Sequence, residues 1–412
     1  MGKKVVILGG GFGGITAVKG LKGTNFDITL IDRTNHNLFL PILFQVAAAA
    51  ISPGDIAVPI RGLVKNMKNV RVVLGETTSI DTENKRVQTD QYGFDYDYLI
   101  VAIGAKASYF GHDEWAKHAI SVRTLKDALT IKDKMLYSFE NAEMLDDQKE
   151  IEKHLTFVIV GGGPIGVEMS GALAEITRRS MRKNFRRIDP SKTKIILLEA
   201  ADKILPAFSN DMSMKALKAL TKMGVDVRTQ TMVTGIDEKG VYTKDGIIET
   251  YNIIWAAGAQ GHDVIKTMKT ETDRNLRVLV EPDFSIKGHP EVFVIGDACA
   301  YMVNGRPLPA VAPTATQSGR YVAGIIRKGI RKEDRKPFKF FDKGNLAVIG
   351  HSKAILETHG LKLSGFPAWI IWLVVHLVVL IGGRSRYKVL AEWLWHYIAR
   401  DYGFRVISQR TW

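Results

Sequence analysis

Two groups of glycines, each followed by an acidic residue, are the sequence features best suited to binding a nucleotide. Gly9, Gly11 and Gly14 form the pattern G-x-G-x-x-G, and Asp32 ends the next apolar stretch. In such a turn the first glycine permits a tight bend, the second lets the main chain approach a pyrophosphate, and the third allows close helix packing. A carboxylate at the next strand end can accept from a ribose hydroxyl. The pattern predicts a dinucleotide-binding turn, with a purely structural turn as the alternative.

The same pattern recurs later in the chain at Gly161, Gly163 and Gly166, and Glu199 ends the stretch that follows. An acid at this position favours NAD over NADP, because it repels a 2′-phosphate and no arginine follows directly. Glu199 could instead be an ordinary surface residue at the end of a strand. Two such turns predict two bound dinucleotides. Hydride has to move between them, so FAD and NADH are the simplest pair.

Apolar stretches typical of β-strands surround both turns. They are residues 4–8, 26–32, 155–160 and 194–199, and two further stretches, 98–104 and 252–258, end at Gly104 and Gly258. The order strand, glycine turn, helix, strand and acid therefore occurs twice, which is an internal repeat. Alternating strands and helices indicate parallel, doubly wound sheets. The predicted fold class is α/β, with two Rossmann-like dinucleotide-binding domains.

Asp297 follows a later apolar strand, residues 292–296, and precedes a helix predicted around residues 314–326. Its carboxylate could return to the first nucleotide domain and hold a ribityl hydroxyl of FAD, or it could cap a helix. The predicted domains are a discontinuous FAD-binding domain (1–113 and 257–340), an NADH-binding domain (114–256) and a C-terminal membrane-association region (341–412).

The C-terminal region contains a strongly apolar stretch, residues 366–381, which is shorter than the roughly twenty residues of a membrane-spanning helix. Two sets of residues fall at helical spacing: Trp369, Trp372, Val375, His376 and Val379, then Val389, Trp393 and Tyr397. Tryptophans beside the basic residues Arg384, Arg386 and Lys388 are typical of a helix lying in the bilayer interface. The prediction is an amphipathic helical membrane anchor, and the alternative is a buried helix with a dimer contact.

Composition narrows the partners and the chemistry. The chain has 57 Lys and Arg against 43 Asp and Glu, a net charge of +14, which favours nucleic acid or an anionic lipid surface. With the apolar tail, and with no basic–aromatic nucleic-acid motif outside it, lipid is preferred. A single cysteine, Cys299, excludes an intrachain disulfide and a CxxC relay. The histidines show no metal-ligand spacing, and the apolar residues 5–8 are too short for a signal peptide, so a cytoplasmic chain is expected.

Taken together, these segments resemble the type II NADH:quinone oxidoreductases, the non-proton-pumping NADH dehydrogenases of the two-dinucleotide-binding-domain flavoprotein superfamily. The segments that carry the resemblance are residues 5–14, 37–47, 51–61, 161–168, 294–297 and 311–317. The glycine turns and Gly296-Asp297 are shared across the superfamily, whereas residues 51–61 and the C-terminal tail are more specific. The sequence departs from the pattern of many relatives at Ser318, Pro313 and Ile103.

The resemblance implies roles for particular residues. FAD is expected at Gly9, Gly11, Gly14, Asp32 and Asp297, and NADH at Gly163, Gly166 and Glu199. Further cofactor-binding residues are expected at Gly13, Gly104, Gly161 and Gly258. Glu168 is expected near the nicotinamide and Gln317 at the quinone end of the flavin ring, which makes both of them cofactor-binding and candidate catalytic residues. From the residues alone, Glu168 could be a helix-start acid and Gln317 a capping or packing residue.

The implied activity is hydride transfer from NADH to FAD, then two-electron reduction of a membrane quinone, without proton pumping. The expected location is the cytoplasmic face of the membrane, held by the C-terminal region, and the tail could also join two copies of the chain. Ubiquinone and menaquinone both remain open. A sulfide:quinone oxidoreductase would need a cysteine pair. A reductase of a soluble electron-transfer protein leaves the tail unexplained, and a non-catalytic redox sensor would not turn over NADH with quinone.

Overall fold

The structure is a computed structural model that describes residues 2–399 and 403–408. The described chain forms two compact units, each assembled from three separate segments. Unit 1 comprises residues up to 38, 58–106 and 259–342, and unit 2 comprises residues 39–57, 107–258 and 343 onwards. The division into FAD-binding, NADH-binding and C-terminal domains concerns ligands, so it stays a prediction.

The helices are interspersed with strands as far as the strand Leu361–Gly365, and two more helices follow it. The helices are α1 (Phe12–Gly20), α2 (Leu43–Ala47), α3 (Pro53–Ile56), α4 (Ile60–Val64), α5 (Leu125–Met144), α6 (Gln148–His154), α7 (Pro164–Glu175), α8 (Asn210–Lys222), α9 (Ala312–Lys328), α10 (Phe366–Val379) and α11 (Gly383–Ala399). A π-helical turn, Ile176–Ser180, continues α7.

The strands are β1 (Lys4–Leu8), β2 (Asp27–Asp32), β3 (His36–Leu38), β4 (Ala57–Pro59), β5 (Val70–Leu74), β6 (Thr77–Asp81), β7 (Arg86–Thr89), β8 (Gly93–Asp95), β9 (Tyr98–Val101), β10 (Lys106–Ala107), β11 (Ala119–Ser121), β12 (Thr156–Val160), β13 (Lys194–Leu198), β14 (Val225–Arg228), β15 (Val233–Ile236), β16 (Gly240–Thr243), β17 (Gly246–Glu249), β18 (Asn252–Trp255), β19 (Ala259–Gln260), β20 (Val278–Leu279), β21 (Ser285–Ile286), β22 (His289–Val294), β23 (Cys299–Ala300), β24 (Met302–Val303), β25 (Arg306–Pro307), β26 (Asn345–Gly350), β27 (Lys353–Thr358) and β28 (Leu361–Gly365).

The main sheet of unit 1 has the strand order β21-β22-β9-β1-β2-β5. Strands β22, β9, β1, β2 and β5 run parallel, with Val6 opposite both Thr29 and Leu99. The side chains of Val5 to Leu8 are at most 2% exposed, as expected for a central strand covered on both faces. Because the strands are parallel, their carboxyl ends meet at one edge, which is the edge at which nucleotides bind in such sheets.

Unit 2 repeats this arrangement with a parallel sheet of order β11-β18-β12-β13-β14. Ile159 of β12 lies opposite Leu197 of β13 and Ile254 of β18. Each unit also carries a three-stranded antiparallel sheet. In unit 1 the sheet β6-β7-β8 precedes β9, and in unit 2 the sheet β15-β16-β17 precedes β18. The predicted pair of Rossmann-like folds is confirmed.

The C-terminal part of unit 2 is an antiparallel sheet, β26-β27-β28, followed by α10 and α11. The predicted helix in the apolar stretch is confirmed as far as Val379. Among the described helices, none is both long enough and apolar enough to cross a membrane.

The structure shows which faces of α10 and α11 are covered. Trp372 and Val389, two of the residues at helical spacing, are at most 1% exposed. The exposed surface of α10 is instead aliphatic, with Ile370, Val374 and Val378 one turn apart and 39%, 55% and 63% exposed. The aromatic stripe turns inward because its rings pack on one another: the centroids of Trp372 and Trp393 are 5.4 Å apart. Of the α10 residues at the predicted helical spacing, Trp372 is covered, whereas Val375 and Val379 are 42% and 47% exposed. The membrane anchor itself stays a prediction.

Candidate active site

The first glycine turn connects β1 to α1 at the carboxyl edge of the unit 1 sheet. Gly9 has φ +94°, a conformation that L side chains rarely adopt, and its N–H donates to Ile31 O over 2.8 Å. The side chain of Asn37, which is 1% exposed, donates to Gly10 O over 2.8 Å. The turn is thus fixed by main-chain and side-chain hydrogen bonds before any ligand binds.

The geometry of Gly14 and Gly11 fits the two roles predicted for them. A Cβ added to Gly14 would lie 1.8 Å from Gly9 O, so only glycine allows α1 to begin this close to the turn. At Gly11, no described atom lies within 4 Å of the position that a Cβ would take. Gly11 precedes the first turn of α1, whose N–H groups have no partner within the helix. This open helix start suits a pyrophosphate.

Asp32, at the end of β2, holds the first turn in place. One carboxylate oxygen accepts from Gly10 N over 2.6 Å, and the other accepts from the N–H and the hydroxyl of Thr34 over 2.6 and 2.7 Å. Each carboxylate oxygen can accept more than one hydrogen bond, so ribose hydroxyls are not excluded.

Asp297 lies at the same edge of the unit 1 sheet as the first turn. It occupies a short 3₁₀ turn, Gly296–Ala298, just beyond β22, and Gly296 has φ +67°. A Cβ on Gly296 would lie 3.2 Å from the Cβ of Ala315, so this turn packs against the start of α9. Gly104, with φ +70°, follows β9 at the same edge. The predicted residues of the first site are thus brought to one edge.

α9, which carries Gln317, packs against α1 directly after the first turn. A Cβ on Gly319 would lie 2.4 Å from Gly13 O, so α1 and α9 are in very close contact. The Gln317 amide is held by the main chain of Phe341, donating to its carbonyl and accepting from its N–H, both over 2.9 Å. This fixes the Gln317 side chain, a feature that sequence reasoning did not anticipate.

The second glycine turn, between β12 and α7 of unit 2, matches the first closely. Gly161 has φ +109°, and a Cβ on Gly166 would lie 1.8 Å from Gly161 O. At Gly163, which precedes α7, no described atom lies within 4 Å of the Cβ position. Gly258, with φ +68°, follows β18 at the same edge, and its carbonyl accepts from the Arg123 guanidinium over 3.4 Å.

Glu199 occupies the position in unit 2 that Asp32 occupies in unit 1. Its carboxylate accepts from Gly162 N over 2.6 Å and from Ala201 N over 2.8 Å. The charge of this carboxylate is therefore fixed beside the turn, where it would repel a 2′-phosphate on the ribose of a bound nucleotide.

Replacing Glu199 by glutamine should reduce the preference for NADH over NADPH. Glutamine keeps an oxygen acceptor for the turn but removes the charge, so the ratio of kcat/KM for the two nucleotides should fall by roughly tenfold or more. Glu238→Gln removes the same charge from an exposed position in unit 2 and should leave the ratio unchanged. An unaltered ratio in Glu199→Gln would contradict the assigned role.

Glu168 lies one turn into α7 and is 7% exposed. Burial raises the pKa of its carboxyl well above the usual range, opposed by a hydrogen bond from Val348 N over 3.4 Å. A carboxyl with a raised pKa stays protonated at pH values at which most carboxyls are ionised. In its protonated form this carboxyl can donate a hydrogen bond or a proton.

Replacing Glu168 by glutamine should change how stability depends on pH. A raised folded-state pKa means that the unfolded chain loses this proton first, so the wild type loses stability as pH rises above about 4.3, the unfolded value. The loss is about 1.4 kcal/mol for each pH unit between the two pKa values. In thermal unfolding, the stability of Glu168→Gln relative to the wild type should increase as pH rises. The relative stability of Glu140→Gln, at an exposed position on α5, should not change with pH. A constant difference for Glu168→Gln would contradict a buried, protonated carboxyl.

Glu168 lines a cavity in unit 2 that is open to the surface. Its walls come from α2, α7, β26, α10 and α11, and they include Gln45, Glu175, Trp369, Trp372 and Trp393. Gln45 accepts from the Trp393 indole over 2.8 Å. Within the described chain, the buried Nε1 of Trp372 has no hydrogen-bond partner.

The cavity was not predicted, because its residues come from separate parts of the chain. The aromatic spacing in α10 and α11 was visible, but spacing does not say which face is covered. Burial lowers the pKa of His376 to about 4, against a hydrogen bond with Trp372 O, so this histidine is neutral at pH 7. Burial also raises the pKa of Cys299 to about 12, so the single thiol is not a ready nucleophile.

Comparison with known proteins agrees with this geometry. Residues 3–319 match the pyridine nucleotide-disulphide oxidoreductase family. Two type II NADH:quinone oxidoreductases of Mycobacterium tuberculosis, NdhA and Ndh, are 42% and 40% identical to the chain, covering 99% of it and 90% of each relative. NDH2 of Plasmodium falciparum, solved in complex with NADH, has a TM-score of 0.90 at 21% identity, covering 99% of this chain and all of the other. The chain therefore belongs to the type II NADH:quinone oxidoreductases, within the pyridine nucleotide-disulphide oxidoreductase family.

Proposed function

We propose that this chain is an NADH:quinone oxidoreductase, which passes two electrons from NADH through FAD to a membrane quinone without pumping protons. The observation that carries the proposal is the pair of open glycine turns, one in each unit, each with a carboxylate bound to its second residue. A chain with two such turns can hold two dinucleotides. Its membership of the type II family gives the direction of electron flow.

The FAD site is assigned to unit 1 and the NADH site to unit 2. In unit 1, Asp297 lies at the same sheet edge as Gly9, Gly11 and Gly14, which lets one chain segment hold the pyrophosphate and another hold a ribityl hydroxyl. In unit 2, Glu199 supports the choice of NADH over NADPH. FAD, when bound, supplies the two-electron chemistry. The protein binds and orients both nucleotides and excludes water.

Two side chains, Gln317 and Glu168, are assigned roles in the redox reaction. Gln317, held by Phe341, presents an amide whose orientation is already fixed, so little side-chain entropy is lost on binding. The N-terminal end of α9 carries a partial positive charge that favours negative charge on a bound ring. Glu168 keeps a proton inside the cavity of unit 2, in an apolar setting that suits proton transfer.

The cavity of unit 2 has the properties that a quinone headgroup requires. A quinone is a flat ring with two carbonyl acceptors, so it needs flat apolar walls and hydrogen-bond donors. Trp369, Trp372 and Trp393 supply the walls, and Trp372 Nε1–H and the protonated Glu168 are available donors. The apolar stripe Ile370, Val374 and Val378 lies on the helix that also forms the cavity wall. A quinone could thus enter from the bilayer.

Membrane attachment is assigned to α10 and α11. Beyond the α10 stripe, exposed apolar side chains on α11 include Leu390, Leu394 and Ile398, which are 40%, 54% and 77% exposed and again one turn apart. Exposed apolar surface of this kind marks a docking face for lipid or protein. Arg384 and Lys388 are exposed on the same helix, and their positive charges suit anionic headgroups. We therefore assign a peripheral position on the cytoplasmic face, with a homodimer through the same face as the alternative.

Steady-state turnover tests the proposed function. Purified protein in detergent should contain FAD, oxidise NADH rapidly when a short-chain quinone is added, and oxidise NADPH poorly. Ubiquinone and menaquinone analogues compared in the same assay would identify the acceptor. Flavin reduction by NADH without quinone-dependent turnover would contradict the proposal and favour a soluble protein acceptor or a redox sensor.

A further inference from the structure

A strongly basic segment, residues 178–187, begins within the π-helical turn of unit 2 and continues beyond it. Six of its ten residues are Arg or Lys, and no Asp or Glu occurs within it. Arg179, Arg182, Lys183, Arg186 and Arg187 are exposed. This segment contributes nothing to the nucleotide turns or the cavity described above, so its charge has no role in the proposed reaction.

Nearby carboxylates offset only part of this charge. Glu143 accepts from the main-chain N–H groups of Arg186 and Arg187, over 2.8 and 3.1 Å, and so fixes the backbone of the segment. The guanidinium of Arg187 pairs with Asp146, whose side chain is 91% exposed. These contacts hold the basic segment in a defined shape, while Arg179, Arg182 and Lys183 project from it.

The basic segment lies next to the C-terminal helices of unit 2. Glu175, the last residue of α7, accepts from His351 N, and the His351 ring stacks on Tyr397 of α11 with centroids 4.9 Å apart. Beyond α11, the Arg405 guanidinium donates to Ser180 O over 2.9 Å. The π-helical turn therefore contacts the chain beyond α11, and the residue before it lies one contact away from α11, which carries exposed apolar side chains.

Two lysines extend the positive surface towards β27 and α8. Burial lowers the pKa of Lys353; attraction from Glu175 opposes this effect, and repulsion from Arg179 and Lys222 adds to it. Lys353 is half-buried and Lys222 is exposed. Both lysines therefore lie near enough to Arg179 to add to the positive potential around the segment.

We propose that the basic segment binds the phosphate headgroups of anionic phospholipids while the apolar stripe of α10 and α11 enters the bilayer. The inference rests on the proposed membrane docking and adds a second, electrostatic contact to it. Basic side chains beside an inserted amphipathic helix are attracted to anionic lipid. Two contacts fix the orientation of unit 2 on the membrane. With the helix pair alone, unit 2 would be free to tilt.

The basic segment is poorly suited to nucleic acid. Single-stranded nucleic acids bind where exposed aromatic rings stack on bases along a basic groove. The aromatic residue of the segment, Phe185, packs inward, with its ring centroid 5.9 Å from that of Phe139. The surface thus offers charge without a stacking platform, which suits a layer of phosphate headgroups.

The test compares the double variant Arg182→Gln, Lys183→Gln with the matched double variant Lys239→Gln, Lys244→Gln, whose lysines are exposed on the antiparallel sheet of unit 2. Binding of the FAD-loaded full chain is measured by co-sedimentation with vesicles of phosphatidylcholine alone and of phosphatidylcholine mixed equally with phosphatidylglycerol. Each basic side chain removed from the segment should weaken binding to the mixed vesicles about fivefold at low salt. Binding to phosphatidylcholine alone should not change, and Arg182→Lys should retain wild-type binding.

Equal binding of both double variants to the mixed vesicles would overturn the inference. So would a selective loss of binding to a mixed-sequence oligonucleotide with vesicle binding intact, since that result would assign the segment to nucleic acid. Turnover of NADH with a short-chain quinone in detergent should be the same in all variants. A failure of that turnover in the wild type would instead contradict the proposed function, so the two failures are distinguishable.

Discussion

Replacing Gly163 by leucine is expected to leave flavin bound and to abolish its reduction by NADH. Gly163 precedes α7 with φ −71° and ψ −178°, an extended conformation that any residue adopts, and no described atom lies within 4 Å of its Cβ position. Leucine therefore fits the folded chain but fills the space assigned to the pyrophosphate. We expect the apparent affinity for NADH to fall by roughly a hundredfold or more.

The matched variant is Gly11→Leu in unit 1. Gly11 has φ −74° and ψ −163° before α1, and its Cβ position is equally open. This variant should fold but lose FAD, which flavin absorbance after gel filtration would show. Thermal unfolding of both variants, followed by circular dichroism, would establish that they are folded. Flavin retained in Gly11→Leu, or normal NADH oxidation by Gly163→Leu, would contradict the assignment of the two sites.

The double variant Val374→Glu, Val378→Glu should detach the protein from membranes. Both side chains are more than half exposed, one turn apart on α10. Burial of a valine side chain is worth roughly 1.5–3 kcal/mol, and a carboxylate in its place resists entry into lipid. Binding to vesicles of phosphatidylcholine and phosphatidylglycerol should fall by about a hundredfold or more. Because neither side chain is buried, we expect the variant to fold.

A control for this variant is Ile247→Glu, at an apolar side chain on β17 that is 42% exposed. It should bind vesicles as the wild type does. If the α10 variant still binds vesicles but elutes as a smaller species in gel filtration, the exposed stripe joins two copies of the chain, and the membrane assignment of the stripe is wrong.

The nucleotide turns could be predicted because their requirements are local. Gly9 and Gly161 need positive φ, Gly14 and Gly166 need to lack a Cβ, and each requirement concerns residues a few positions apart. The strands around them are continuous apolar runs, which is what a parallel sheet buried on both faces demands. For this reason the internal repeat predicted both Rossmann-like folds.

The inner face of the C-terminal helices could not be predicted in the same way. The stripe of Trp369, Trp372 and His376 and the stripe of Ile370, Val374 and Val378 both have helical spacing, and both are apolar enough to face lipid or protein. Which stripe is covered depends on packing against α2, α7 and β26, which come from distant parts of the chain. The burial of Glu168 likewise depends on packing between distant parts of the chain.

The hydrogen bonds of Gln317 and the surroundings of residues 178–187 are two other features that could not be predicted from the sequence. Gln317 bonds to Phe341, 24 residues later, and no spacing rule connects the two. The basic segment, by contrast, was visible in the sequence, but its position beside α11 became apparent only from the contact of Arg405 with Ser180. A binding role can be proposed for a basic segment only when the surfaces next to it are known.

The most direct test of the proposed electron path is an anaerobic two-step measurement of flavin absorbance in a stopped-flow instrument. The FAD-loaded protein is first mixed with one equivalent of NADH and then with a short-chain quinone. The proposed path predicts that flavin absorbance falls in the first step and recovers in the second, each at least as fast as steady-state turnover. Flavin that stays reduced after quinone is added would contradict the assignment of quinone as the electron acceptor.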